Sequence, residues 1–252
     1  MLNEFEIEQY HRDGFVIPRF QMPEEVIESI KKEHTALVRA FPEYIDYCPG
    51  LLDIAPVFLG FCRNQTVIQM VTQLIGPDIA LWNASFFAKP ALKGKRTPWH
   101  QDGEYWPITP LATCTVWLAV DDSHAENGCL RVIRGSHRDR SLRRHHTVQA
   151  GDVTLTQALD ASEFDETNAV DLVLKAGQIS LHDVFLLHGS EPNLSSKPRR
   201  GMTMRFMPTT SLFDRELAKR KAIDMNIVDH SNRPVFLMSG EDRHGRNQLI
   251  KL

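Results

Sequence analysis

The chain has 252 residues, 42% of them hydrophobic and 24% charged, with a formal net charge of −3 and a pI near 6.4. That length suits one domain with a substantial core, and so even a charge balance excludes a global attraction to nucleic acid or to an anionic membrane. No apolar stretch approaches a membrane span, and the opening MLNEFEIEQYHRDGFVIPRF carries acids without a basic-then-apolar run, so neither membrane partner nor secretory signal is expected and the predicted location is cytoplasmic.

The predicted elements begin with a helical front, residues 1–76. Residues 4–13 read as a short helix stopped by Gly14, and Phe15 to Ile17 as a strand. Pro23 sits in the first turn of a second helix whose apolar face carries Val26, Ile27, Ile30 and Leu37, and a third helix over about 64–75 ends at Gly76. From there to about residue 210 the pattern turns to strands: 79–88, 113–120, 129–134, 171–181, 184–188 and 201–208, separated by turn residues. Asn127-Gly128 is a hairpin signal, because a tight type I′ turn needs positive φ at both central residues, and it predicts pairing of 113–120 with 129–134. Residues 211–252 form a C-terminal extension. The expected class is mainly β with flanking helices, consistent with a jelly roll whose open mouth holds a small ligand. Cys48, Cys62, Cys114 and Cys129 contain no C-x-x-C pair and lie among apolar residues, which predicts reduced, buried thiols.

The chemistry-bearing stretch is TPWHQDGEYWPITP, residues 97–110. In an extended strand, side chains at i and i+2 share a face, so His100 and Asp102 can reach one metal ion. A second histidine would complete the two-histidine, one-carboxylate set of non-haem Fe(II) oxygenases, which leaves adjacent coordination positions open. His188 and His182 compete for that place. By strand alternation both lie on one face if 182–188 is an unbroken strand, so period alone does not separate them.

Taken together, Trp99-His100-Gln101-Asp102, WLAVDDSHAENGCLRVIRGSH (117–137) and LHGSEPNLSSKPRRG (187–201) resemble, in order and spacing, the phytanoyl-CoA dioxygenase family of Fe(II)/2-oxoglutarate-dependent oxygenases. The resemblance runs from YHRDGFVI (10–17) to about Pro208. It implies a double-stranded β-helix, the cupin-like jelly roll, and a distal metal ligand on the histidine followed by Gly-Ser, which is His188. It also implies an arginine eleven residues beyond that histidine binding the far carboxylate of 2-oxoglutarate, which selects Arg199 over Arg200. Trp117 would flank the cosubstrate. The implied cofactors are Fe(II), 2-oxoglutarate and O2; the implied activity is hydroxylation of a C–H bond with release of succinate and CO2. An aspartate at 102 disfavours halogenation, for which the superfamily uses a small residue there.

Beyond the motifs, Tyr105, Trp106, Asn83 and Arg205 are candidate substrate contacts. An inward-facing Arg205 would be costly without a partner, so either an acid or an anionic substrate group should meet it. The small, polar character of Asn83, Ser85, Arg205 and the basic loop favours a small, anionic metabolite over an acyl-CoA as the partner, and the protein is expected to be a monomer or homodimer. The six arginines of RVIRGSHRDRSLRRHH (131–146) are expected to be a solvated face rather than an anion funnel. Two rival readings are a cupin-like binding protein without catalysis and a zinc hydrolase using His100, Asp102 and His188.

Overall fold

A computed structural model describes residues 1–148 and 151–252. Labelled in chain order, the strands used below are β1 (Phe15–Val16), β2 (Tyr47–Cys48), β3 (Ile79–Lys89), β4 (Thr97–His100), β5 (Cys114–Ala119), β6 (Leu130–Ile133), β7 (Ala169–Leu172), β8 (Ile179–Asp183), β9 (His188–Ser190), β10 (Arg199–Pro208), β11 (Val235–Ser239) and β12 (Leu249–Lys251). An eight-stranded sheet runs β1-β8-β5-β10-β3-β11-β12, with β2 also paired to β3, and a four-stranded sheet runs β7-β6-β9-β4. The two sheets face each other as a jelly roll, and the site lies between them.

The helical front builds one wall of the core. Helix α1 (Glu4–Asp13) starts with a capping box in which Asn3 and Glu6 satisfy each other's backbone N–H groups. It stops at Gly14, whose φ of 87° is the left-handed conformation that ends helices. Helix α2 (Glu24–Ala40) has Pro23 at its cap rather than inside its first turn, and buries Ile27, Ile30, His34 and Leu37. Together with α3 (Gln65–Ile75), these helices pack on the outer face of the large sheet. Outward residues Val116, Leu118, Met202, Met204 and Phe206 alternate with inward Thr115, Trp117, Gly201, Thr203 and Arg205, the period-two pattern of strands with different surroundings on each face.

One irregularity matters for the site. The β10–β3 register shifts between Arg205, opposite Asn83, and Phe206, opposite Leu81, so Trp82 is an extra residue. Such a bulge turns two consecutive side chains to one face. Trp82 joins the apolar cluster of Trp106 and Phe213, while Asn83 lines the adjoining cavity.

Three strand expectations need correction. Segments 113–120 and 129–134 do not form a hairpin: β5 pairs with β8 and β10 in the large sheet, β6 with β7 and β9 in the small one. Asn127 ends a single 3-10 turn, with its side chain tied to His124 N and Asp122 O, and only Gly128 has positive φ. The connection therefore crosses between sheets, since both strands are buried in different layers and local turn chemistry does not decide pairing. Residues 171–181 are two strands in different sheets, parted by a turn with Gly177 at φ 88°. Residues 184–187 are a turn and extended chain rather than a strand, although Val184, Leu186 and Leu187 are fully buried, because a short apolar run reports burial and not β structure. The four cysteines are free and buried. No helix among the described residues is long and apolar enough to cross a membrane.

Candidate metal centre and adjoining cavities

His100 ends β4 and Asp102 opens a 3-10 turn just after it, held in place because Gln101 donates from Nε2 to the carbonyls of Ser141 and Phe185. His188 begins β9 directly opposite His100. The three side chains are buried, and one ligand atom from each lies within 4.8 Å of the others. Asp102 Oδ1 is 3.8 Å from His100 Nε2 and 3.9 Å from His188 Nε2.

Hydrogen bonds on the far side of each ring orient these ligands. His100 Nδ1 donates to the Pro98 carbonyl at 2.8 Å and His188 Nδ1 to the Leu186 carbonyl at 2.9 Å. A carbonyl only accepts, so each imidazole carries its proton on Nδ1 and presents the Nε2 lone pair inward. Burial pushes His100 down to about 4 and His188 well below its ordinary value, so both rings are neutral near pH 7. Burial alone would raise the Asp102 carboxyl, but the His182 ring, His188 and Arg205 hold it below the usual carboxylate range. The donor set thus offers two neutral nitrogens and one carboxylate oxygen, which fits a divalent transition metal.

His182 occupies a different place. It lies across the turn 184–187 from His188, with the two ring centroids 5.0 Å apart, and its Nε2 is 3.6 Å from Asp102 Oδ2. Thr115 Oγ1 donates to the same oxygen at 3.1 Å. Thr115 thus holds the aspartate, with the His182 ring beside it and both ring nitrogens unpartnered, while Oδ1 stays on the side of His100 and His188. Sequence reading named His182 only as a rival ligand and overlooked Thr115, which an i, i+2 count back from Trp117 would have placed on the inner face.

Two cavities meet at Asp102, Phe87 and Arg205. The inner one holds His100, His188, His182, Thr115, Trp117, Thr203 and Arg199. Arg199 is buried; its Nε and Nη2 donate to the Gly128 carbonyl at 3.1 and 2.7 Å and its Nη1 to the Phe87 carbonyl at 3.0 Å. A guanidinium has five N–H groups, so Nη1 and Nη2 each keep one proton that these carbonyls do not use. Its neighbour Arg200 points away, donating from Nε and Nη2 to Asp121 at 2.7 Å each. Trp117 stacks beside Arg199, with the guanidinium carbon 5.4 Å from the ring centroid. Gly201 makes room for that indole, because a Cβ there would lie 2.3 Å from Trp117 Cζ2.

The outer cavity, of about 230 Å³, contains all four proposed substrate contacts: Asn83, Tyr105, Trp106 and Arg205. Tyr105 donates its hydroxyl to the Gln157 carbonyl at 3.0 Å, and Trp106 lies beside Arg205 at 5.3 Å. Its remaining wall comes from residues that sequence reading did not single out, notably Tyr47 and the stretch 226–230. The basic stretch 131–146 does not enter either cavity. Arg131 bridges Glu166, Asp171 and Glu191; Arg134 pairs with Asp13, Arg140 with Asp183 and Arg144 with Asp160, while Arg138 and Arg143 hold backbone carbonyls. Its charges are spent in tying loops together rather than in meeting a ligand.

This chain is similar to known proteins at the level of family, sequence and fold. The family model for phytanoyl-CoA dioxygenase matches residues 10–201. A phytanoyl-CoA dioxygenase domain-containing protein 1 homolog of Dictyostelium discoideum is 31% identical over 160 residues, 63% of this chain and 57% of that protein. A probable alpha-ketoglutarate-dependent hypophosphite dioxygenase of Stutzerimonas stutzeri is 30% identical over 142 residues, 55% of this chain and 48% of its own length. This chain therefore spans about half the length of the curated relatives it matches. Among solved structures, the non-heme monooxygenase ThoJ superposes with a TM-score of 0.74 at 23% identity, covering 97% of this chain and 86% of that one, a likeness of fold.

Proposed function

The chain belongs to the phytanoyl-CoA dioxygenase family, and on that premise we propose that it is an Fe(II)/2-oxoglutarate-dependent dioxygenase that hydroxylates a C–H bond of a small, anionic metabolite. The observation that carries this reading is one buried cavity holding both the metal-competent His100, Asp102 and His188 and the Arg199 guanidinium, which has two N–H groups to spare. A zinc hydrolase or a simple binding protein has no use for that second feature.

Each residue has a defined task in this reaction. His100, Asp102 and His188 would hold Fe(II), which with 2-oxoglutarate and O2 supplies the oxidising power for C–H hydroxylation and releases succinate and CO2. Arg199 takes the far carboxylate of 2-oxoglutarate through two parallel charge-assisted hydrogen bonds, and Trp117 walls that position. Thr115 keeps Asp102 in its orientation, and the His182 ring packs beside the same oxygen. The substrate occupies the outer cavity, where Tyr105 and Trp106 supply apolar walls and Asn83 and Arg205 supply polar contacts. No carboxylate lies within 4.0 Å of Arg205 among the described residues, which favours an anion on the substrate. A relative's name as a hypophosphite dioxygenase points the same way.

Anaerobic addition of Fe(II) and then 2-oxoglutarate tests the class: a visible charge-transfer band that O2 bleaches is expected. A protein that binds Zn(II) but gives no band with Fe(II) and 2-oxoglutarate would overturn it. Screening carboxylates, phosphonates and thioesters for stimulated succinate release then tests the substrate. A response confined to long-chain thioesters would refute the small-anion choice.

A further inference from the structure

Resting on that reading, we propose that residues 226–233, in the C-terminal segment, complete an oxyanion-binding subsite with Asn83 and Arg205, and that this subsite holds a carboxylate or phosph(on)ate of a compact substrate against the metal. Charge balance is the first argument. The charges of Fe(II) and Arg199 would be offset by those of Asp102 and the two carboxylates of 2-oxoglutarate, since an imidazole binds a metal in its neutral form. Arg205 is then left over, 4% exposed. A buried, unpaired guanidinium is costly, and a substrate oxyanion relieves that cost only when bound.

Hydrogen bonding is the second argument. Arg205 Nη1 donates to Ser85 Oγ at 2.7 Å and Thr203 Oγ1 at 2.9 Å, while its Nε has no partner. Ser85 Oγ in turn donates to the Pro49 carbonyl. Arg233 stands behind this row: its Nη1 donates to Asn83 Oδ1 and to the Pro49 carbonyl, and it is nine-tenths or more buried. Because Arg233 occupies the only acceptor of the Asn83 amide, that side chain turns its Nδ2 donors to the Ser85 and Arg205 side. The wall therefore presents donors, and the nearest acid to Arg233, Asp53, lies at 4.0 Å and on the solvent side. Arg233 does not itself line the cavity, so it is a positioning residue, whereas Asn226, Ile227, Val228 and His230 close the wall.

Compactness follows from shared lining. Arg205 and Asp102 border both cavities, so an anion seated on Arg205 leaves room for only a short carbon skeleton before the metal is reached.

The test is anaerobic calorimetric titration of the Fe(II)- and 2-oxoglutarate-loaded protein with acetate, methylphosphonate and neutral acetamide. At least one anion should bind roughly tenfold or more tightly than acetamide, and the preference between the two anions identifies the headgroup. Arg205→Gln should remove that advantage while 2-oxoglutarate affinity, read from the visible band, stays within roughly twofold. Asn83→Asp is the nearly isosteric control that keeps a partner for Arg233, and it should repel the anions equally well. Arg233→Gln should weaken anion binding and Arg233→Lys should partly restore it. Equal binding of acetamide and the anions, or anion binding indifferent to Arg205→Gln and Asn83→Asp, overturns the subsite. A parallel loss of 2-oxoglutarate affinity in Arg205→Gln also overturns it, reassigning Arg205 to the cosubstrate. Absence of the visible band in the wild type would instead sink the oxygenase reading, and selective anion binding would still uphold the subsite.

Discussion

Replacing Arg199 by lysine separates charge from geometry in the inner cavity. The arginine spends three N–H groups on the Gly128 and Phe87 carbonyls and keeps one on each of Nη1 and Nη2. Two charge-assisted hydrogen bonds at about 1.5 kcal/mol each give about 3 kcal/mol of binding, which is roughly a hundredfold in affinity. Lysine keeps a positive charge but cannot hold both carbonyls and also form the fork, so 2-oxoglutarate affinity should fall by roughly tenfold to a hundredfold. The assay is anaerobic titration of the Fe(II) protein with 2-oxoglutarate, followed by the visible band, with circular dichroism to confirm folding. Arg200→Lys is the control, because Arg200 is committed to Asp121 and should leave the titration unchanged. An unaltered affinity in Arg199→Lys alongside a weakened one in Arg200→Lys would refute the assignment.

Three further outcomes can be checked. Thr115→Val removes the hydroxyl that donates to Asp102 Oδ2 and should weaken metal binding by about 10- to 100-fold in a chelator competition; an unchanged affinity would mean the aspartate needs no such support. Gly201→Ala puts a methyl 2.3 Å from Trp117 Cζ2, so overpacking of about 1–3 kcal/mol should lower Tm and loosen 2-oxoglutarate together; a variant with native Tm would contradict the close approach. Burial lowers His34 from 6.5 to about 4, so below pH 6.5 the unfolded chain takes up a proton that the folded one refuses. Stability of the metal-free protein should therefore be lost as pH falls from 6.5 to 4, at up to about 1.4 kcal/mol per pH unit for this residue. Urea titrations at several pH values should show a shallower loss in His34→Leu, and an identical slope would show that His34 is not refusing the proton.

Local pattern determined a good deal of this protein from the sequence alone. The boundaries of α1, the period-two faces of β5 and β10, and the nearness of His100 and Asp102 all depend on residues a few positions apart, whose geometry the backbone itself sets. The jelly roll and the family were legible because three motifs keep their order and spacing over most of the chain. Tertiary structure decided what spacing leaves open. Whether β5 and β6 pair depends on which layer buries each, and Asn127-Gly128 could not report that. The break at 184–187 brings His182 beside Asp102 while His188 stands opposite His100, because a buried apolar turn and a buried strand look alike in sequence. Arg233 meets Asn83 across 150 positions of chain, a contact fixed by packing of the whole domain, since no local rule couples residues that far apart.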